Sequence, residues 1–404
     1  MADRTTPVKD LVINAIAQTM GADYFPGTGT NNGSLADLDT YKLSDVGKDM
    51  ADMNKTDVFT KTLMVQLAAY IMDERIFENT DLPPVYKSYL EYGGYLLKVR
   101  LGLYEVEDDP MWSLTSGTNY SEDEHTPVLP TTYAKIFDEL KAVRVKYTVY
   151  NDALLESMVS WEMMARYISS MESTVQNTIR LYTRVLTKQL LNSGIAISDK
   201  ATKTARHLLT EAKARGLLDA KATADDFFKS DACIDYTINE IILTDSYMRE
   251  YTDAFNNKTS PTFSPDGERH MVLLSAFERM VAKRQAALYH DNKMDLGDYS
   301  KINWWQAIRS GDVGSEEYGK LETTSAVQIS ADATNKLGIG TEKYESKYVV
   351  AFIYDTLAIG IAERTRNKVT SSYTACADFW NMFTHIALNA WVDSSYNMVA
   401  FIVD

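Results

Sequence analysis

The sequence has few of the residues on which covalent and metal chemistry usually depend. Its 404 residues include 2 cysteines and 5 histidines. The cysteines, Cys233 and Cys376, cannot form a disulfide framework, and we interpret them as free thiols in a reducing compartment. There is no Gly-x-Ser-x-Gly elbow and no His-Glu-x-x-His pair, so the signatures of serine hydrolases and zinc proteases are missing. We expect no catalytic, cofactor-binding or metal-binding residues, and therefore no enzymatic activity.

The chain also lacks an excess of positive charge and a long hydrophobic run. Its formal net charge is −15 and its pI is about 4.9, which argues against a protein that reads nucleic acid. The longest apolar run, residues 348–361, contains Asp355 and is shorter than the roughly 20 residues that cross a bilayer. No basic start followed by an apolar core opens the chain, so we expect no signal peptide and an intracellular protein without a membrane partner.

The middle of the sequence carries one long helical pattern, from about Asn151 to Gly194. Apolar residues recur there at spacings of three or four, or sums of those, which places them on one stripe of a helix: Leu154, Met158, Trp161, Ala165, Ile168, Val175, Ile179, Tyr182, Leu186 and Leu190. Asn151 or Asp152 can cap the start, and Gly194 stands where a left-handed stop is expected. We predict a single helix roughly 60 Å long that lies across a sheet. Arg166 and Arg184 fall on its opposite side, where solvent or a neighbouring subunit meets them.

A period of two appears on both sides of a polar excursion. Leu97, Val99, Leu101 and Leu103 alternate with polar or small residues, as do Val143, Val145, Tyr147 and Val149. Both patterns predict half-buried strands. The excursion between them is about 36 residues long, far above the usual connection of about 4–6, so it is expected to be functional. A two-stranded ribbon is marginal in water and needs another surface to lie on.

The excursion is rich in acidic and aromatic residues. Its candidates for contact with another subunit are Glu107, Asp108, Asp109, Trp112, Tyr120, Glu122 and Asp123. Carboxylates of this kind could bind a hard cation. Their spacing does not match a calcium loop, however, and solvated loop tips are commonly acidic. We therefore interpret them as contact residues.

The other regions are mixed in pattern. Residues 1–80 are predicted to be an arm, and its Gly-rich stretch at 27–33 fits neither phosphate-binding motif. The predicted helices are 8–20, 56–77, 201–215, 236–255 and 275–290, and the predicted later strands are 271–274, 348–354, 380–388 and 397–403. The arm and the ribbon have no evident partner within one subunit, so we expect a molecule that is completed by its neighbours.

Three stretches of the chain carry a family resemblance. They are residues 12–16 and 57–59 of the arm, residues 150–152 and 159–161 at the entry to the long helix, and residues 352–355, 363–367, 380 and 396–401 of the tail. In these stretches and in the order of its parts, the sequence resembles the major capsid proteins of tailed bacteriophages with the Hong Kong 97-type (Johnson) fold. It is most similar to those of small short-tailed phages.

The resemblance implies an α+β fold with five parts. They are an N-terminal arm (1–80), an extension loop or β-ribbon with its flanks (81–149), the spine helix of a peripheral domain (150–194), a mostly axial domain (195–345), and C-terminal strands that return to the peripheral and axial sheet (346–404). The implied function is that of a major capsid protein, whose copies self-assemble into an icosahedral shell of hexamers and pentamers around phage double-stranded DNA.

The resemblance also implies partners and a location. The main partner is the protein itself, and scaffold, portal and decoration proteins are further candidates. Packaged DNA would be enclosed without sequence-specific binding. The protein would be found in the virion, and in the host cytoplasm during assembly.

Two alternatives stay open at this point. An encapsulin-like nanocompartment protein would share the fold and enclose cargo enzymes, and the neighbouring genes would distinguish it from a capsid protein. A soluble acidic α+β hydrolase that uses a carboxylate pair would instead remain a stable monomer.

Overall fold

The computed structural model describes most of the chain and shows an α+β protein. The described residues are 5–21, 24, 38, 40–53, 55–63, 83–90, 96–104, 106, 127, 129–137, 140–201, 203–258, 260–287, 298–306, 325–364 and 368–404. The helices are α1 (Thr5–Met20), α2 (Thr40–Asp52), α3 (Asn151–Ser157), α4 (Trp161–Lys200), α5 (Leu208–Ala214), α6 (Ala224–Lys229), α7 (Asp231–Tyr247), α8 (Ser275–Ala287) and α9 (Ala331–Lys336). Residues 56–63 are also helical.

The strands fall into two five-stranded sheets and two short pairs. They are β1 (Tyr86–Leu90), β2 (Leu96–Leu101), β3 (Thr132–Phe137), β4 (Leu140–Tyr150), β5 (Ala205–His207), β6 (Arg269–Leu274), β7 (Ser300–Ile302), β8 (Val327–Ile329), β9 (Tyr344–Ser346), β10 (Val349–Asp355), β11 (Ile359–Arg364), β12 (Lys368–Thr374), β13 (Phe379–Val392) and β14 (Met398–Ile402).

One sheet, in the order β5-β14-β10-β6-β7, is covered on both faces. Every residue of β10 and β14 is buried, which explains why both strands are continuous apolar runs rather than alternating ones. Phe352 and Ala400 pack in the cluster that contains α4, whereas Ile353 and Phe401 pack in the cluster that contains α5, α7 and α8. The two strands therefore separate two hydrophobic cores.

The other sheet is built around the long strand β13. Strand β4 pairs with one edge of β13 over 11 residue pairs, from Phe379–Tyr150 to Asn389–Leu140. Strands β11 and β12 pair with successive parts of the opposite edge, and β1 extends the sheet parallel to β11. Segments on the two sides of α4 in sequence are thus joined in one sheet.

The predicted long helix exists, but its two ends differ from the prediction. A break at residues 158–160 separates α3 from α4, and the Ser160 hydroxyl caps α4 by accepting a bond from the Met163 amide at 3.2 Å. The predicted cap Asn151 is instead buried, and its side-chain amide donates to Asp57 and Asp378. The ten apolar residues of the predicted stripe are all buried or half-buried.

Gly194 does not end the helix, because α4 continues to Lys200. A Cβ atom added to Gly194 would lie 3.0 Å from Phe352 Cζ and 3.2 Å from Ile359 Cδ1. The glycine therefore serves a close approach between α4 and two strands, rather than a left-handed turn. A sequence pattern alone does not distinguish these two uses of glycine.

The described helices of the arm pack on their own subunit, contrary to the expectation that the arm lacks a partner there. Val12 and Ile16 of α1 are fully buried in a third cluster. This cluster also contains Leu154 of α3, Ile168 of α4 and Met382 of β13. The spacing of the apolar residues in α1 places them on one face of the helix. That face packs against α3 and the N-terminal part of α4.

The other predictions are confirmed in part. Helix α8 begins at the predicted residue, and the predicted strands correspond to β6, β10, β13 and β14. The predicted helix 201–215 is confined to α5, because residues 205–207 pair with β14. Helix α7 begins and ends earlier than predicted, and β11 and β12 were not predicted.

Residues 27–33 and 64–77 lie outside the described residues. Among the described helices, none has the length and apolar character needed to cross a membrane.

Substituting Gly194→Ala should destabilise the subunit, although alanine favours helices by about 1 kcal/mol over glycine. Phe352 is fully buried and stacks on Tyr354 with ring centroids 5.3 Å apart, so it has little room to move. Overpacking typically costs about 1–3 kcal/mol, and we expect a net loss of about 1 kcal/mol in the free energy of unfolding, measured with urea.

Gly47→Ala is the matched control, because Gly47 also lies within a helix, α2. Its added Cβ atom would lie 3.4 Å from Met158 Sδ, which is an ordinary van der Waals distance. That substitution should leave stability unchanged or raise it. Equal stabilisation by both substitutions would contradict the close-approach role of Gly194.

Candidate inter-subunit surface

Strands β2 and β3 form a ribbon that pairs with no other described strand. Its register places Leu97 opposite Ile136 and Val99 opposite Ala134 on one face. Leu97, Val99, Leu101 and Ile136 are each 52–62% exposed. The outer face of the ribbon is therefore an apolar surface that the subunit leaves in solvent, a feature that commonly marks an interaction site.

The opposite face of the ribbon holds basic side chains against the body of the subunit. Lys98 donates to the Leu357 carbonyl, which follows β10. Arg100 donates to the Ser395 carbonyl at 3.1 Å and also to the Ser260 hydroxyl. Both side chains thus anchor β2 through polar contacts with turns of the body.

A third basic residue, Lys135 of β3, completes this inner face. Its Nζ atom lies 3.3 Å from Asp393 Oδ1. The Asp393 side chain is 2% exposed and also accepts bonds from the Ser395 amide and hydroxyl at 3.2 and 2.9 Å. A buried carboxylate of this kind is stabilised because several donors replace the water that it has lost.

Lys98 lies in an aromatic environment that contains few charges. Its Nζ atom is 4.9 Å from the ring centroid of Trp391 and 5.0 Å from that of Tyr396. Burial lowers the pKa of Lys98 to about 8, against the opposing attraction of Asp393 and Asp355. Cation–π contacts and a neutral carbonyl therefore do not replace the lost hydration of the ammonium fully.

The alternation predicted for residues 97–103 is confirmed, but its orientation is the reverse of a usual half-buried strand. The apolar side chains of β2 face outward, whereas Lys98 and Arg100 face the body. The second predicted strand, β4, is not the partner of β2, because β4 pairs with β13 and β2 pairs with β3. Lys98 and Arg100 face inward because the body offers carbonyls, a carboxylate and aromatic rings beneath the ribbon.

A cleft of about 460 Å³ opens where the ribbon meets the body. That volume is typical of sites that hold small ligands or side chains. Its lining combines residues of both ribbon strands with two turns of the body: Lys98, Arg100, Thr132, Tyr133, Ala134, Lys135, Lys258, Ser260, Asp393, Ser395 and Tyr396.

The contact residues predicted from the excursion were Glu107, Asp108, Asp109, Trp112, Tyr120, Glu122 and Asp123, and all lie outside the described residues. Arg166 is exposed and pairs with Glu162 one turn earlier, at 2.6 Å. Arg184 is half-buried, and its charge helps to lower the pKa of Lys188, for which burial is the larger cause. The structure does not bring Arg166 and Arg184 together with the ribbon.

The sequence prediction missed the residues of the ribbon that are now candidates, Leu97, Val99, Leu101 and Ile136. One signal was present: Lys98 and Arg100 alternate with these apolar residues in the strand next to a long excursion. A two-stranded ribbon has no second layer to cover it, so either face can be the exposed one.

One group of possible metal ligands occurs among the described residues, at Asp199, His207 and Asp404. His207 Nδ1 lies 2.6 Å from Asp404 Oδ1, and His207 Nε2 lies 3.8 Å from Asp199 Oδ1. Asp199 also accepts a bond from the Tyr344 hydroxyl at 2.8 Å. Because each imidazole nitrogen already faces a carboxylate, we interpret the group as a polar side-chain network near the surface.

Comparison with known proteins assigns the chain to a family. Residues 13–402 match the sequence model of the family described as Phi29-like phage major capsid protein. This match spans nearly the whole chain, so the protein belongs to the Phi29-like phage major capsid proteins. The predictions of a phage capsid protein with an α+β capsid fold are confirmed, and the protein is a shell component of a phage virion. No curated protein matches the chain at a significant level.

Solved structures with similar chains come from phage particles. The capsid structure of Staphylococcus phage Andhra is 11% identical, with 82% of this chain and 88% of that chain covered and a TM-score of 0.47. The structure of the head fiber and inner core protein gp22 of bacteriophage P68 is 9% identical, with coverages of 79% and 83% and a TM-score of 0.48. The capsid of Cyanophage P-SCSP1u is 9% identical, with coverages of 82% and 93% and a TM-score of 0.40.

The Lys98→Met substitution should remove a specific pH dependence of stability. The folded subunit releases the Lys98 proton near pH 8, whereas the unfolded chain keeps it up to the ordinary pKa of 10.5. Stability of the wild type should therefore rise, relative to the variant, as the pH increases from about 8 to 10, and the difference should be constant below about pH 8.

Urea unfolding at pH 7, 9 and 10, below the concentration at which shells form, measures this difference. Lys221→Met is the control, because Lys221 is exposed and its removal should not change the pH dependence. If wild type and Lys98→Met kept a constant stability difference across this range, Lys98 would not be buried as described.

Proposed function

We propose that copies of this capsid protein assemble into an icosahedral shell of hexamers and pentamers that encloses phage double-stranded DNA. Membership of the family supports the capsid function, and the apolar outer face of the ribbon supports the mode of contact. A closed lattice of copies can cover such a face in every subunit. The mechanism is assembly, and no catalytic step is part of it.

The ribbon is the surface that we assign to contact between subunits. Leu97, Val99 and Ile136 are aligned on one side of two paired strands, so a single flat surface of a neighbour could cover them together. Burial of apolar area contributes about 25 cal/mol per Å². Many small contacts repeated over a shell stabilise each subunit far more than any single contact does.

The five-part organisation expected from the resemblance is retained as a proposal. The flanks of the extension loop (81–149) supply β1 and β4, which pair with strands of the C-terminal part (346–404). The spine (150–194) begins at the end of β4, and helices α5 to α8 of the region 195–345 pack in one cluster with residues of β6, β10 and β14. Residues 1–80 form the arm, whose described helices lie at the base of the spine.

The charge of the chain supports one of the proposed partners, packaged DNA, and the other partners are those that the resemblance implies. With a net charge of −15, the shell would hold packaged DNA without sequence-specific binding, because like charges repel. Scaffold, portal and decoration proteins are proposed as further partners during assembly in the host cytoplasm. The acidic and aromatic residues between Glu107 and Asp123, with Trp112 and Tyr120, are proposed to extend the ribbon's contact with a neighbour.

Val99→Lys should prevent shell assembly while leaving the subunit folded. The substitution places a charge in the centre of the outer face, where burial of one valine is worth about 1.5–3 kcal/mol. The association constant per contact should fall by about tenfold or more. Sedimentation and negative-stain microscopy measure the yield of shells.

Leu243→Lys is the control, because Leu243 is 43% exposed on α7, away from the ribbon. It should assemble normally. Shells of Val99→Lys with normal yield would show that the outer face is not a contact.

Deleting residues 107–130 should also abolish assembly, because the ribbon would lose the segment between its two strands. The subunit should remain folded, since none of the described members of its three hydrophobic clusters lies in this range. Circular dichroism and sedimentation measure folding and assembly separately. Particles like those of the wild type would refute a role for this segment.

A further inference from the structure

The cleft beneath the ribbon holds more positive than negative charge. Four basic side chains line it, Lys98, Arg100, Lys135 and Lys258, with Asp393 as the carboxylate of the lining. Lys135 pairs with Asp393. The described residues contain no carboxylate within ion-pair distance of the other three cations.

The hydrogen bonds of these cations go to neutral oxygens. Lys98 donates to a backbone carbonyl, and Arg100 donates to a carbonyl and a hydroxyl. Aromatic rings occupy much of the remaining space: the Arg100 guanidinium lies 5.1 Å from the centroid of Tyr133 and 5.7 Å from that of Tyr396. Cations in partly desolvated surroundings attract an anion more strongly than exposed cations do.

Burial lowers the pKa of Lys98 to about 8, so the surroundings of its ammonium stabilise the charge less than water does. The charged groups around it are Asp393 and Asp355 of the body, and Lys135 of β3, which repels it. Arg100 lies two residues away on the same face of β2. An added carboxylate would raise the pKa of Lys98 toward its ordinary value, because an opposite charge favours the ammonium.

We propose that this cleft receives a carboxylate side chain from a neighbouring copy of the chain. The inference rests on the proposed shell assembly and names one contact within it. Each copy carries 56 acidic and 41 basic residues, so a neighbour offers mainly carboxylates. The cleft is continuous with the ribbon, since part of its lining belongs to β2 and β3, the strands whose outer face is apolar.

The two faces of the ribbon would then act together. The proposal requires that a neighbour covering Leu97 and Val99 on the outer face also reaches around the ribbon to the open side of the cleft. The apolar contact favours association but does not select one orientation of the two copies. A carboxylate that pairs with Arg100 and Lys258 would fix their register. Arginine suits this role because its planar group can hold a carboxylate through two parallel bonds.

Charge reversal at the rim of the cleft tests the proposal. Lys258 is exposed, so Lys258→Glu should fold normally. The critical concentration for shell assembly, measured by light scattering of the full-length protein after nuclease treatment, should rise by about two- to fivefold. Its dependence on salt should weaken, because the screened attraction is gone.

Lys221→Glu is the matched control, because Lys221 is also exposed and is not among the lining residues. Both variants change the net charge by the same amount, so the control removes the effect of total charge. If the two variants assemble alike while the wild type forms shells, the proposed contact is wrong and the shell function stands. If the wild type forms no shells even with a scaffold protein of its phage present, the shell function fails and the contact fails with it.

A zero-length carbodiimide crosslink identifies the partner directly. This reagent joins a lysine to a carboxylate only when the two are in contact, and shells made from a mixture of ¹⁴N and ¹⁵N subunits show whether a link is between copies. We expect Lys258 linked to an Asp or Glu in peptides of mixed label. Absence of mixed-label links at Lys258, with such links at other lysines, would overturn the proposal.

Discussion

A helix can approach a sheet closely only where its side chains are small, and α4 meets Phe352 and Ile359 through Gly194. This contact seats the C-terminal half of the spine on strands that are buried on both faces. One of these strands, β10, together with β14 separates the core under α4 from the core formed by α5, α7 and α8. Because the N-terminal half of α4 packs with the arm helices, one continuous helix connects two of the three clusters.

The ribbon is attached to this rigid body in a different way. Its anchors are Lys98, Arg100 and Lys135, which reach carbonyls, a hydroxyl and one carboxylate rather than an apolar core. Polar contacts that water can replace contribute about 0.5–1.5 kcal/mol each, much less than a buried apolar face of the same extent. The subunit therefore holds the ribbon in a defined place at low cost to its own stability and keeps the apolar face for another molecule.

The sequence predicted the elements better than it predicted how they meet. The stripe from Leu154 to Leu190 identified the spine because helical spacing is a local property. Gly194 was misread, since the atoms that require a glycine there, on Phe352 and Ile359, are more than 150 residues away in sequence. The alternation at Leu97 predicted a strand with an apolar and a polar face. It could not predict which face is buried, because the buried face depends on what lies beneath the strand. β11 was missed because its burial depends on pairing with β13.

The remaining constraint is that every copy of this subunit is acidic. Copies with a net charge of −15 repel one another on average, yet at physiological salt this repulsion is screened beyond about 8 Å. Contacts between copies are therefore decided by local groups rather than by total charge.

A hydrophobic face alone would tolerate many registers, because apolar contact is not directional. On the inner face of the same ribbon, no carboxylate of the described residues lies within ion-pair distance of Arg100 or Lys98, so an acidic neighbour would gain attraction there instead of repulsion. Placing both features on one two-stranded element lets a single contact determine both the strength and the geometry of assembly.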